Sequence, residues 1–297
     1  MRRLVVLILV LCSACTTLQE ALGIKGGSTQ RATLTTSDGA SIILWRWAPT
    51  RANAPKVLVL PELGFDHRLV GQLCFQLRKA GFDVATVDGR EITGAGGRFT
   101  GLAGWTIDVA RAVAAQGPNP IVVAVGIGGD AALEMGRLGA IRGVVAINVP
   151  LRHAVGDEAL RLALKADGYD PGLWLDHGIG ALLLGAGKST SGPDLDRLGR
   201  LASATSPEMN AQVVRLLQDG ATAELPRIPI RALISVKDNL VATEDALPGA
   251  GGRLTHARRL GLIEGFRADY GHLDWLVDQA SLDEVTPAIV EDLEAIP

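Results

Sequence analysis

The chain has little cysteine and no surplus of charge of either sign. It holds 3 cysteines in 297 residues, which is too few for a framework of disulfides. Its 29 lysines and arginines nearly balance 32 aspartates and glutamates, so the net charge of -3 argues against nucleic-acid binding. The 5 histidines show no close ligand spacing, and we predict neither a metal site nor any other cofactor.

A hydrophobic run at the N-terminus is too short to span a bilayer. Met1 and two arginines precede LVVLILVLCSAC, which has the length of a signal-peptide core. This stretch resembles the signal of a bacterial lipoprotein, whose final cysteine is acylated after cleavage. The resemblance implies a signal peptide at residues 1–14, a lipid bilayer anchor at Cys15 and a tether over residues 15–30. No aspartate follows Cys15, so we expect the outer membrane of the bacterial cell envelope as its location.

The rest of the chain reads as one α/β domain over residues 31–297. The stretch TLTTSDGASIILWRW predicts a hairpin that turns at Asp38-Gly39. Five short apolar runs follow, KVLVLPELG, DVATVD, PIVVAVG, GVVAINV and IRALISV, with helix-like segments between them. Continuous apolar strands are typical of a mostly parallel sheet covered on both faces. Residues 151–225 have helical periodicity without a convincing strand, which predicts a helical lid.

Three motifs stand at predicted strand ends in the order nucleophile, acid and histidine. They are the glycine-rich turn VVAVGIGGDAALEMG, the strand end ISVKDNLVATEDA and the loop YGHLDWL. This order resembles the α/β-hydrolase superfamily, in particular its lipases and esterases. The resemblance implies the α/β-hydrolase fold for the chain from about residue 31 onward. It also implies that Asp238 is the acid and His272 the base of a catalytic triad.

The same resemblance implies that Gly126 occupies the nucleophile position, because DAALEMG then matches the helix that follows the turn in this family. Glycine offers no hydroxyl, thiol or carboxylate, so the nucleophile position is vacant. An alternative register places Asp130 there, as in dehalogenase-like members, and a shift to Gly128 again leaves a glycine. The backbone amides of Leu63 and Ile127 are the expected donors to an oxyanion.

The loop after the first of the five apolar runs departs from the family pattern. Active members usually read His-Gly-x at this point, whereas this chain has Pro61 and Glu62. A glutamate near the oxyanion donors disfavours negative charge in the pocket unless its side chain points away.

Three functions stay open at this point. Loss of one triad member lowers turnover by about 10⁴- to 10⁶-fold, which favours a catalytically degenerate, lipid-anchored protein. Such a protein would bind a small apolar or acyl-like ligand or an envelope protein. The second function is an active ester or amide hydrolase that uses Asp130, Ser189, Ser191 or a water activated by His272. The third is a structural lipoprotein in which bulky apolar side chains fill the space over residue 126.

Overall fold

The computed structural model describes residues 29–151, 208–209, 212–213, 225–238 and 254–297. The predicted signal peptide, Cys15, Ser189, Ser191 and most of the predicted lid lie outside these ranges. The lipid anchor and the lid therefore stay predictions. Within the described part of the chain, no helix is long and apolar enough to cross a membrane.

An eight-stranded sheet forms the centre of the described chain. The first two strands form the predicted antiparallel hairpin, in which Thr36 N–H donates to the Ala40 carbonyl across the turn at 2.9 Å. The second strand is antiparallel to the fourth, and all other neighbouring strands are parallel. The order across the sheet is β1-β2-β4-β3-β5-β6-β7-β8, which confirms the predicted α/β architecture. The strands are β1 (Thr29–Thr35), β2 (Ser41–Trp47), β3 (Lys56–Leu60), β4 (Asp83–Asp88), β5 (Ile121–Val125), β6 (Gly143–Ile147), β7 (Ile230–Ser235) and β8 (Leu254–Leu260).

Helices cover both faces of the sheet, which explains why its central strands are continuous apolar runs. Every residue of β4, β5 and β6 is buried. Such strands need apolar side chains at successive positions rather than at alternate ones. On the helical layers, α1 packs against α6 and α3 packs against α4. The described helices are α1 (His67–Lys79), α2 (Arg90–Thr93), α3 (Gly101–Gln116), α4 (Asp130–Arg137), α5 (Asp274–Val277) and α6 (Gln279–Glu294).

Helix α1 shows how the sequence fixes one of these layers. Asp66 is its N-cap, and the Asp66 carboxylate accepts a hydrogen bond from the backbone N–H of Arg68 at 2.8 Å. The apolar face of α1 includes Leu73, Cys74 and Leu77, all of which are fully buried. Burial raises the pKa of the Cys74 thiol, so Cys74 is an unreactive core residue.

Strand β8 is the described strand that the sequence analysis does not locate. Its sequence, LTHARRL, is rich in basic side chains and alternates between half-buried and exposed positions. This pattern is typical of a sheet edge, where Arg258 also pairs with the exposed Glu291 at 2.8 Å. At the other edge, β1 begins at Thr29, two residues before the predicted domain boundary at residue 31.

The parallel strands bring distant loops together at one edge of the sheet. Glu62 follows β3, Gly126 follows β5 and Asp238 follows β7. Because β3, β5 and β7 run in the same direction, their carboxyl ends lie along the same edge. Binding sites of open α/β sheets form at this edge.

Candidate functional site

The turn after β5 has the backbone that a nucleophile elbow requires. Gly126 follows β5 directly and has a φ of 58°, in the left-handed region that favours glycine. A short 3₁₀ turn over Gly126–Gly129 then leads into α4. Trp105 of α3 holds this turn, because its indole N–H donates to the Gly128 carbonyl at 3.0 Å. The glycines thus form a sharp strand-to-helix turn whose first residue faces the carboxyl edge of the sheet.

The structure brings Asp238 and His272 together as a buried pair. The Nδ1 atom of His272 lies 2.7 Å from Oδ2 of Asp238, and the imidazole is 1% exposed. The loop that carries the histidine is fixed by its backbone, since the His272 carbonyl accepts hydrogen bonds from Asn148 Nδ2 at 2.8 Å and from Trp275 Nε1 at 3.2 Å. The imidazole therefore has a defined orientation, with Nε2 directed toward Gly126.

The side chain of Glu62 occupies the space between Gly126 and His272. Its Oε2 atom lies 2.7 Å from Nε2 of His272. Its Oε1 atom accepts the backbone N–H of Leu63 at 2.8 Å and that of Ile127 at 3.0 Å. These two amides are the predicted oxyanion donors, and the structure places both on the Glu62 carboxylate. Glu62 has no exposed surface, so its charge is held entirely by these three donors.

Glu62 therefore takes the space that a catalytic serine would need. A Cβ atom built on Gly126 would lie 2.9 Å from Nε2 of His272, close enough for a serine hydroxyl at that position to reach the imidazole. The same Cβ atom would overlap Oε2 of Glu62. The expectation of an empty space opposite His272 thus needs correction, because a carboxylate fills it.

Sequence reasoning missed the direction of the Glu62 side chain. It identified the residue as a departure from His-Gly-x, but it left open whether the carboxylate points away from the pocket. A usable signal was present in the pairing of two unusual residues. Where the family has glycine in the loop and a side chain at the elbow, this chain has a side chain in the loop and glycine at the elbow.

Comparisons with known proteins agree with the architecture. An esterase, RhEst1 from Rhodococcus sp. ECU1013, is 17% identical with a TM-score of 0.62, and the match covers 90% of this chain and 99% of that one. A hydrolase from Pseudomonas aeruginosa PA01 is 18% identical with a TM-score of 0.64, over 91% of this chain and 100% of that one. The enol-lactonase from Burkholderia xenovorans LB400 is 17% identical with a TM-score of 0.63, over 89% of this chain and 100% of that one. The chain has the α/β-hydrolase fold. No family model matches the sequence, and no curated protein matches it.

Within this α/β-hydrolase fold, the electrostatics of the site hold His272 in its charged form. Burial by itself works against the imidazolium, but the carboxylates of Asp238 and Glu62 outweigh it and raise the pKa of His272 to about 10. The imidazolium is thus the prevailing form near neutral pH. A histidine that already carries its proton cannot accept another from serine or water.

Asp130, the alternative nucleophile, is the first residue of α4. Burial raises the pKa of its carboxyl, and the charges that act on it are those of Arg137 and Glu134 further along the helix. The imidazole of His272 contacts Asp238 and Glu62 instead. The structure therefore places Gly126 at the turn opposite the imidazole, in the register that the helix match favours.

A pocket opens beside Glu62. It has a volume of about 340 Å³, part of which is open to solvent. Much of its wall is apolar, and Glu62 and Arg90 are among its polar lining residues. The apolar lining residues are Leu63, Phe65, Ile92, Trp105 and Met209. Among the described residues, no group of three or more histidine, cysteine, aspartate or glutamate side chains could hold a metal ion.

Arg90 lies at the wall of this pocket within a buried ion network. Its guanidinium donates to Asp108 at 2.8 Å and to Asp38 at 2.6 Å, and its side chain is 4% exposed. It also donates to the Phe99 carbonyl. The network ties the hairpin turn of β1 and β2 to the end of β4 and fixes the wall opposite Glu62. Since Asp38 lies in the turn and Asp108 in α3, three elements converge on one cation.

Proposed function

We propose that this protein is a catalytically degenerate α/β-hydrolase-fold protein, anchored by lipid in the bacterial cell envelope, that acts by binding. Its ligand is a small apolar or acyl-like molecule that enters the pocket beside Glu62. An envelope protein that presents such a group is the other form of partner.

The contact between Glu62 and His272 carries this proposal. Serine-type hydrolysis needs a nucleophile, a free base and two free oxyanion donors. Here the elbow residue is Gly126, and the Glu62 carboxylate engages both the imidazole and the two backbone amides. All three requirements are therefore unmet in the same small volume.

A water activated by His272 meets the same obstacle. General-base catalysis needs an imidazole that is neutral and has a ring nitrogen free to accept a proton. Both ring nitrogens of His272 are engaged by carboxylates, and its pKa of about 10 keeps the imidazole charged. This supports the binding role over the water-activated hydrolase.

The decisive experiment is a hydrolysis assay on the purified protein without its first 14 residues. Aryl esters of short and medium acyl length should be hydrolysed no faster than in buffer, and a fluorophosphonate probe should not label the protein. Turnover that disappears in a His272→Ala variant would overturn the proposal, since it would show that the imidazole still performs catalysis.

The lipid anchor is supported by the N-terminal sequence alone and has its own test. Metabolic labelling with palmitate should mark the full-length protein expressed in a Gram-negative host, and the label should disappear in Cys15→Ser. Labelling that persists in Cys15→Ser would refute acylation at this residue. This outcome is independent of the hydrolysis assay.

A second candidate function follows from the same geometry. Glu62 could itself attack an acyl carbon, with Asp238 and His272 behind it, and form a mixed anhydride that water then hydrolyses. The position of its Oε2 atom beside the imidazole favours this idea, while the occupation of both oxyanion donors by Glu62 weighs against it. A single turnover in ¹⁸O-labelled water separates the two, because only the anhydride route incorporates the label into the Glu62 carboxylate.

A further inference from the structure

The candidate site is built to receive a carboxylate. Two backbone N–H groups, of Leu63 and Ile127, converge with the imidazole of His272 on one small volume. Two amides and an imidazolium match the oxygens and the charge of a carboxylate group. The structure already shows such a group in place, because the Glu62 side chain fills the volume.

The positive charge of His272 is consequently not available to a ligand. The imidazole lies between the carboxylates of Asp238 and Glu62, at 2.7 Å from each. A second anion that approached this cluster would meet one cation and two carboxylates. It would also find no unused donor among the two amides.

The other cation of the pocket is engaged in the same way. Arg90 lies between Asp38 and Asp108, and hydrogen bonds to these carboxylates and to the Phe99 carbonyl involve Nε and both terminal nitrogens of the guanidinium. Both partner carboxylates are buried. The pocket thus has two buried cations, each neutralised by more than one carboxylate, and a wall that is otherwise largely apolar.

We propose that Glu62 is the specificity residue of the pocket: by occupying the carboxylate receptor, it restricts ligands to uncharged apolar molecules and excludes free carboxylates. This inference rests on the proposed binding function. Like charges placed close together in a buried site repel strongly, and a ligand carboxylate without donors also loses its hydration. An uncharged ligand of the same shape meets neither penalty and gains from burial of its alkyl chain.

The test uses hexanamide and hexanoate, two ligands of nearly equal shape that differ in charge. Binding is measured by titration calorimetry at neutral pH on the protein without its first 14 residues. The wild type should bind hexanamide at least about 10-fold more tightly than hexanoate, which corresponds to about 1.4 kcal/mol. In Glu62→Gly the receptor is open, so hexanoate should bind at least as tightly as hexanamide.

Two further variants make the result interpretable. Glu62→Gln keeps the bulk of the side chain without its charge, so it should narrow the wild-type preference even if Glu62→Gly folds poorly. Glu264→Gln removes an exposed carboxylate outside the pocket and should keep the wild-type preference. Circular dichroism establishes that each variant is folded before its titration is interpreted.

Three outcomes would overturn the inference. They are equal binding of hexanoate and hexanamide by the wild type, an unchanged preference in both Glu62 variants, and binding of neither molecule by any of the proteins. Failure of the proposed function has a different signature, namely ester turnover that depends on His272. The two failures can therefore be told apart in the same preparations.

Discussion

A serine at position 126 should create an esterase only when Glu62 is removed from the same chain. A Cβ atom at this position would lie 2.9 Å from Nε2 of His272, so a serine hydroxyl there could reach the base. The same atom would overlap the Glu62 carboxylate. Glu62→Gly clears that overlap, frees both oxyanion donors and removes one of the two carboxylates that hold the imidazole in its charged form.

The single variant Gly126→Ser should be inactive and unstable. It forces Glu62 away from its donors, and a buried charge that loses its partners costs about 3–5 kcal/mol. The left-handed backbone at position 126 adds about 1 kcal/mol for any residue with a side chain. With roughly 2–4 °C lost per kcal/mol in a domain of this size, the melting temperature should fall by about 10 °C.

The double variant Glu62→Gly/Gly126→Ser should behave differently in both respects. Because the overlap is absent, its loss of stability should be smaller than the sum of the two single losses by about 2 kcal/mol. It should also hydrolyse p-nitrophenyl butyrate at least about 10²-fold faster than the wild type, a part of the 10⁴- to 10⁶-fold that a complete triad provides.

The assay needs one matched control. Glu62→Gly/Gly126→Ala clears the same space and carries the same backbone strain, but it has no hydroxyl and should stay inactive. Covalent labelling by a fluorophosphonate should occur at position 126 in the serine double variant only. The reasoning is refuted if Gly126→Ser alone is as stable as the wild type, or if it is as active as the double variant.

Other predictions follow from the ionic groups of the site and the core. His272 has a folded pKa of about 10 against 6.5 for a free imidazole, so its stabilising contribution should be complete below pH 6.5 and should be lost as the pH rises toward 10. Urea unfolding across this range should show the loss in the wild type but not in His272→Gln, and an equal slope in both would contradict the assignment. Arg90→Met should lower the free energy of unfolding by about 3–5 kcal/mol, because it leaves two buried carboxylates unpaired. Glu291→Gln, at an exposed ion pair, should change stability far less, and equal effects of the two substitutions would argue against the buried network. Iodoacetamide should modify Cys74 in the unfolded protein but not in the native one, as peptide mass spectrometry can establish; rapid native modification would contradict its burial.

The sequence predicts most of the sheet because burial on both faces leaves a strong pattern. Runs such as VVAV and GVVAI have no polar positions, and only a covered strand tolerates this. The same reasoning does not locate β8, whose positions alternate between half-buried and exposed. An edge strand of this kind gains its structure from pairing with β7, which is a property of the sheet rather than of the segment.

The candidate site was predictable in its positions but not in its contacts. Asp238, His272 and Gly126 could be placed because each stands beside a strand end or a turn with a recognisable pattern. The direction of Glu62 could not, since it depends on three donors from separate parts of the chain. Leu63 is its neighbour, but Ile127 and His272 are 65 and 210 residues away. Only the folded sheet brings them to the same carboxylate.

The hairpin of β1 and β2 also determines from which side the chain enters the domain. Thr29 pairs with Trp47, and Trp47 pairs with Val84 near the start of β4, so β1 begins at the amino ends of the parallel strands. Glu62 and the pocket lie at the opposite ends. Any attachment through the segment before Thr29 would therefore hold the domain by its far side and present the pocket mouth away from the attachment point, accessible to molecules in the surrounding compartment.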